Sequence, residues 1–347
     1  MKNQMPKVWS LAKIWNKALE QSTEKEVLPR DRIYASELGR SDIDIFLKMQ
    51  GEKPTNPPNE RSQRKFHAGD LYEWFVFLIL KKCGVLISNQ IAVKTTKEGC
   101  VEVSGRLDFI AGGTPNYDEG QMKIDQLIDE LEMPPLFHTV TRNFIEILRN
   151  EYPNGLDEKV LEIKSVANFG FERVEKTGKA MAGHDLQNFH YAKGLDKEGA
   201  LCYINREDLR MYEIPIMPYD QKLQARYDEK VERVSKFYLE NQSPEPEPMI
   251  LFDEDMGKFS KNFNVEYSPF LKKIYGIERP DQYDDEISPI IGRWNRVLGR
   301  IRGNKKLTPD NDLAMEEMRN RGFDTVKICK IISKAPLVGE EINAEEI

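Results

Sequence analysis

Glu162 and Lys164 stand two residues apart in the run Val160-Leu161-Glu162-Ile163-Lys164-Ser165-Val166, an acid and an amine inside an apolar stretch. Successive side chains of a β-strand point to opposite faces, so on a strand Glu162 and Lys164 share one face and Leu161 and Ile163 the other. A carboxylate beside an ammonium on a half-buried face suits a metal ion and an activated water. The same spacing occurs at Asp157/Lys159, Asp220/Lys222 and Asp228/Lys230, but the first follows a Pro-Asn-Gly turn and the others lie in a charged helical run. Read instead as an exposed ion pair on an edge strand, Glu162 and Lys164 would be worth only about a few tenths of a kcal/mol.

Two further acids are set against apolar surroundings. From Phe66 to Cys83 the pattern is helical and almost wholly apolar after Tyr72, as expected of a helix buried on most sides. Gly69 and Glu73 are four apart on it and share a face. Glu73 either meets a cationic partner there or lies at the wet end of the helix. Residues 90–96 and 101–111 alternate like strands and are joined by Lys97-Glu98-Gly99 as a hairpin turn. In the second strand Val103, Gly105, Leu107 and Phe109 take one face, leaving Ser104, Arg106, Asp108 and Ile110 on the other. Asp108 reads as a mid-strand acid near the core or as a strand-end residue before the Gly112-Gly113 turn.

The remaining elements must position these groups. Residues 8–24 recur at helical spacing, and Ser36 offers a helix cap ahead of Ile43, Ile45, Phe46 and Met49. Residues 183–195 read as a helix with Gln187 and Tyr191 four apart on one face, offering neutral hydrogen bonds and a ring for a phosphate or base, or a plain surface contact. Strands over 200–205 and 209–216 and a helix over 219–241 follow. Between the second strand and the Glu162 strand, residues 114–157 form an acidic insertion with helices over 125–132 and 136–148 split by Pro134-Pro135, the size of a lid, an arm or a partner surface. After the Pro-rich stretch 243–248, Arg293, Arg296 and Arg300 form a stripe at helical spacing with Trp294 inside it. It is either a solvated helix face or a contact for a DNA backbone. The chain thus divides into a helical N-terminal cap (1–60), a core (61–242) carrying the insertion, and a mainly helical accessory region (243–347).

Composition narrows the function classes. A chain of 347 residues with net charge −7 and pI about 5.5 has no global positive field to gather nucleic acid, so any phosphate site is local or metal-assisted. Four scattered cysteines, Cys83, Cys100, Cys202 and Cys329, include no C-x-x-C pair, which disfavours zinc, iron–sulfur and disulfide frameworks. No apolar signal core opens the sequence and no run is long enough to span a bilayer, so a soluble, intracellular protein without membrane contact is expected.

Taken in order, Tyr34-Ala35-Ser36-Glu37-Leu38-Gly39, Gly69-x-x-x-Glu73, Gly105-Arg106-Leu107-Asp108, Glu162-Ile163-Lys164 and Gln187-x-x-x-Tyr191 resemble the motifs of the PD-(D/E)XK nuclease superfamily, especially its RecB-like exonuclease branch. The match runs from about residue 33 to residue 216. The resemblance implies an α/β (α+β) restriction-endonuclease-like core, a mixed sheet flanked by helices. It implies Mg²⁺ or Mn²⁺ held by Asp108, Glu162 and the Ile163 carbonyl, with Glu73 as a further ligand and Lys164 serving the attacking water. Gln187 and Tyr191 would hold the substrate strand, with Arg106, Arg293, Arg296 and Arg300 as further DNA contacts. The chain departs from its branch in three ways: Arg40 and Ser41 stand where a first cluster cysteine would fall and no trio follows Ser243, so no iron–sulfur cluster is expected; Leu107 replaces the usual Pro; and the insertion is long.

The expected activity is metal-dependent DNA hydrolysis, by an exonuclease of recombination, repair or replication-linked processing. A nuclease fold kept as a scaffold that docks a protein partner through residues 114–157 or the C-terminal region is the alternative from another class. An RNA-directed nuclease is a third.

Overall fold

The computed structural model describes residues 10, 27–58, 60–113, 126, 135–181, 183–254 and 256–334. The helices expected over 8–24 and 125–132 lie outside these residues, apart from Ser10 and Gln126. The chain forms two compact units, residues 1–53 with 58–244 and residues 54–57 with 245–347. Among the described residues no helix is long and apolar enough to cross a membrane.

In the first unit β1 (Arg32–Tyr34), α1 (Asp42–Met49) and α2 (Glu60–Lys82) precede the hairpin β2 (Leu86–Thr95) and β3 (Glu102–Gly113). Next come α3 (Pro135–Glu151), β4 (Leu156–Val166), α4 (Asn168–Thr177), α5 (His184–Leu195), β5 (Glu198–Asn205), β6 (Met211–Ile216) and α6 (Gln221–Leu239). The sheet is mixed, ordered β1-β3-β4-β5-β6 with β2 on the other edge of β3. β1 and β5 pair in parallel with β3 and β4, and the other pairs are antiparallel. Helices cover both faces, so the expected mixed sheet flanked by helices is the architecture found.

The alternation of β5 shows the two-sided burial. Leu201 and Tyr203 enter a core built with α4, α5 and α6, while Ala200, Cys202 and Ile204 enter a second core built with α2 and α3. Helix α3 amounts to a correction of the insertion. Its Ile145 and Leu148 pack with Val76, Leu80, Phe109 and Ile163, so residues 135–151 belong to the flanking layer of the sheet rather than to a lid. Strand β4 likewise starts at Leu156, inside the span assigned to the insertion.

The front of the chain also differs from expectation. Arg32–Tyr34 is a parallel strand, Ser36 lies in a short 3₁₀ turn, and the cap of α1 is Ser41, whose Oγ accepts the Asp44 N–H at 3.2 Å. Both β1 and β4 lie along the same edge of β3, β1 against residues 102–104 and β4 against 109–113. Between them β3 has no strand partner on that edge over residues 105–108. Two side chains enter this gap: Tyr191 Oη donates to the Arg106 carbonyl at 3.1 Å, and Asp108 Oδ2 accepts the Ile163 N–H at 2.8 Å. Gly105 permits the approach, because a Cβ there would stand 2.6 Å from Tyr191 Oη and 2.7 Å from the Ala35 Cβ.

The second unit packs the hairpin β7 (Ile250–Asp253) and β8 (Lys258–Lys261) with α7 (Phe263–Glu266), α8 (Leu271–Tyr275), α9 (Pro280–Arg302), α10 (Pro309–Asn320) and α11 (Thr325–Lys334). Its centre is Trp294, fully buried, with Phe259 at 4.9 Å and Phe323 at 5.5 Å between ring centroids. The hairpin was not legible in a region read as mainly helical.

Gly105→Ala should therefore lower the melting temperature by roughly 2–8 °C, since overpacking against Tyr191 and Ala35 costs about 1–3 kcal/mol. Thermal unfolding followed by circular dichroism checks this; an unchanged midpoint would mean that Tyr191 can yield at no cost.

Candidate active site

The gap on β3 is where the candidate residues gather. On β4, Leu161 and Ile163 pack toward α2 and α3 while Val160 and Val166 face the α5 side, which places Glu162 and Lys164 together on the α5 face. Glu162 is only 2% exposed. Its Oε1 accepts from Lys164 Nζ and from Gln187 Nε2, both at 2.7 Å. Gln187 also donates to Tyr191 Oη at 3.3 Å, so the two α5 residues act as one bracket on Glu162 and on β3. The bracket depends on a tight entry to α5, where Gly183 adopts φ 80° and lies so close to Gly39 that a Cβ would come within 2.2 Å of its Cα.

Asp108, 9% exposed, approaches from β3. Leu107 and Phe109 were expected on one face of this strand, yet Leu107 enters the α5-side core and Phe109 the α2-side core. The pleat is thus broken at Asp108. Across the ladder the neighbours pair Asn89 with Phe109 and Ile91 with Leu107, so Gln90 sits opposite Asp108 with φ 53°, a left-handed conformation uncommon outside glycine. Gln90 Nε2 donates to Glu73 Oε1 at 2.5 Å, tying α2 to this point. Sequence reasoning missed Gln90. The available signal was Ser88-Asn89-Gln90, three polar residues in succession inside an otherwise alternating strand.

The charges are strongly coupled. Burial, then the nearby Glu162 charge, raises the Asp108 carboxyl to about 7. Burial, then the Asp108 charge, raises Glu73 to about 7, against the Gln90 hydrogen bond. Burial also raises Glu162, partly offset by Lys164. For Lys164 burial disfavours the charge, but the Glu162 charge and hydrogen bond, with Asp108 and Glu73 beyond, outweigh it and raise the pKa. Lys164 is therefore a protonated donor at neutral pH.

The donors fit a hard cation. Glu162 Oε2 is buried without a hydrogen-bond partner, and Asp108 Oδ1 has no bond among the described residues while Oδ2 is committed to Ile163. Among the described residues no three His, Cys, Asp or Glu side chains form a ready metal-binding group. Glu73 is held by Gln90, and one Glu162 oxygen is held by Lys164 and Gln187. Two carboxylates suffice for Mg²⁺, which usually keeps several of its waters.

Arg106 is exposed on β3, and its carbonyl, not its guanidinium, takes part in the site. The arginine stripe lies in the second unit. Arg293 is paired with Glu317, which also accepts from Trp294 Nε1 at 3.0 Å, and Arg300 donates to the Lys306 carbonyl at 2.7 Å. Arg293 and Arg296 are exposed and Arg300 is half-buried. Trp294 is core, so the aromatic expected within a basic surface is not on the surface.

No protein-family model matches the chain, and no curated protein matches it. Among solved structures it is similar to the protein SSO0001, with 16% identity, a TM-score of 0.37 and coverage of 67% of this chain and 87% of that one. It is also similar to an alkaline exonuclease from Laribacter hongkongensis, with 12% identity, a TM-score of 0.35 and coverage of 66% and 93%. Likeness at these scores carries no functional argument.

The raised carboxyls give a pH signature. Asp108 and Glu73 hold protons in the folded chain up to about pH 7 that the unfolded chain releases near pH 4, so stability falls as pH rises through that window. A divalent cation competes with those protons. The melting-temperature gain on adding Mg²⁺ or Mn²⁺ should therefore grow from about pH 5 to about pH 8. A gain that stays flat or shrinks with pH, measured against EDTA controls, contradicts the assignment.

Proposed function

We propose that this chain is a metal-dependent nuclease of the PD-(D/E)XK type that hydrolyses DNA phosphodiester bonds, working as an exonuclease in recombination, repair or replication-linked processing. The observation that carries the reading is Glu162: a buried carboxylate with one oxygen bracketed by Lys164 and Gln187, the other unpartnered, beside Asp108. The motif order anticipated from sequence supports the same reading.

Asp108 and Glu162 would hold Mg²⁺ or Mn²⁺, with the Ile163 carbonyl and water completing an oxygen shell and Glu73 as a further ligand. When bound, the ion supplies Lewis acidity at the scissile phosphate and lowers the pKa of a coordinated water. The Ile163 N–H fixes the Asp108 carboxylate, so its free oxygen keeps one direction. Lys164, charged and already donating to Glu162, orients the attacking water and offsets negative charge growing on the phosphate. Its raised pKa keeps it a hydrogen-bond donor to that water rather than a proton acceptor. Gln187 and Tyr191 keep Glu162 and β3 in register and border the place of the substrate strand.

A second reading, the fold kept as a binding module, draws on the absence of a ready three-acid group among the described residues. The cleavage assay separates the two. Linear DNA incubated with Mg²⁺ or Mn²⁺ should release nucleotides, and Lys164→Ala or Asp108→Asn should lower the rate by at least about a hundredfold, compared at a temperature where circular dichroism shows each variant folded. Equal release by wild type and Lys164→Ala, or no cleavage of any nucleic acid in either metal, refutes the proposal.

A further inference from the structure

The first unit has a cleft of about 440 Å³ of which the proposed chemistry uses only Glu73. One wall is a stripe of α2, Asp70, Glu73, Trp74 and Phe77, spaced three and four apart so that they share a helix face. The other wall is Asn89 and Gln90 of β2, and Phe109 of β3 forms the floor, 1% exposed and 6.3 Å from Phe77 between ring centroids. Trp74 is 45% exposed, while Val76 and Leu80 of the same helix enter the core.

The lining decides what can enter. Two carboxylates and no cation repel a phosphate, so the occupant is a neutral, flat group. Indole and phenyl rings offer stacking faces, and the Asn89 and Gln90 amides offer donors and acceptors at the rim. The cleft also shares Glu73 and Gln90 with the acid cluster, and Gln90 stands opposite Asp108. A polymer whose neutral part lies in the cleft would therefore have its adjoining anionic link close to Asp108.

We propose that this cleft binds an unpaired nucleobase of a single-stranded nucleic acid, stacked on Trp74, so that the neighbouring phosphate is delivered to the Asp108–Glu162 site. The proposal rests on the nuclease reading for the fate of that phosphate, but base capture itself needs neither metal nor cleavage. Paired bases are stacked on their own neighbours and present only their edges, so a duplex enters only with a frayed or unwound end.

The test is fluorescence anisotropy with labelled single-stranded oligonucleotides in EDTA at low ionic strength, where no strand is cut. DNA, RNA, blunt duplex and an abasic strand of equal length are separate arms. Wild type should bind the single strand more tightly than the duplex, with the DNA and RNA arms showing which sugar is preferred. Trp74→Ala should weaken that binding by about tenfold or more, Trp74→Phe should retain most of it, and the abasic strand should bind both proteins alike. Melting curves show that both variants fold. Failure of wild type to bind single strands, unchanged binding by Trp74→Ala, or an equal loss on the abasic strand overturns the proposal. Trp74-dependent binding by a wild type that cuts nothing in Mg²⁺ or Mn²⁺ would uphold the cleft and refute the nuclease reading.

Discussion

Two carboxylates, Asp108 and Glu162, are buried side by side where β3 and β4 separate; burial raises the proton affinity of both, and the Glu162 charge raises that of Asp108 further. Such a pair is costly in a low-dielectric interior unless cations or hydrogen bonds meet it. Here Lys164 and Gln187 both donate to Glu162 Oε1 and the Ile163 N–H to Asp108 Oδ2, so two of the four oxygens are met while Glu162 Oε2 and Asp108 Oδ1 have no partner among the described residues. Breaking a buried salt bridge by removing one partner costs about 3–5 kcal/mol in proteins generally, so Lys164, which keeps Glu162 paired, ties the stability of the core to the site. The divalent cation proposed above would offset the same imbalance.

The rest of the first unit follows from keeping that gap. Strand β1 fills one end of the β3 edge and β4 the other, and α5 sends Tyr191 into the space between. The close approaches at Gly105 and Gly183 let the front segment and α5 pack that near to the sheet. From the opposite face α2 contributes Glu73, connected through Gln90, whose left-handed backbone marks the point where the β3 pleat breaks. Strained backbone of this kind costs about 1–3 kcal/mol and persists where surrounding packing imposes it.

Much of this was legible in local pattern. The period-2 alternation of residues 160–166 correctly assigned Glu162 and Lys164 to one face, and the period of residues 183–195 correctly paired Gln187 with Tyr191. What pattern could not show were properties of tertiary contact. Nothing local says that β1 and β4 share one edge of β3, that Phe109 leaves the face of Leu107, or that Gln90 stands opposite Asp108. Helix α3 was readable as a helix, but its Pro-Pro boundary and acidic neighbourhood suggested an appendage, whereas Ile145 and Leu148 make it part of the core. The arginine stripe was real as periodicity, but the Arg293 guanidinium is paired with Glu317 and that of Arg300 donates to the Lys306 carbonyl.

Asp108 and Glu162 are proposed to form an oxygen site for a hard divalent cation. A crystal of the protein soaked in Mn²⁺, with anomalous diffraction to locate the metal, addresses it directly. The account predicts one strong peak about 2.1–2.2 Å from Glu162 Oε2 and from Asp108 Oδ1, with Lys164 still beside it. A peak elsewhere on the protein, or none with Glu162 still closed onto Lys164 and Gln187 alone, would contradict it.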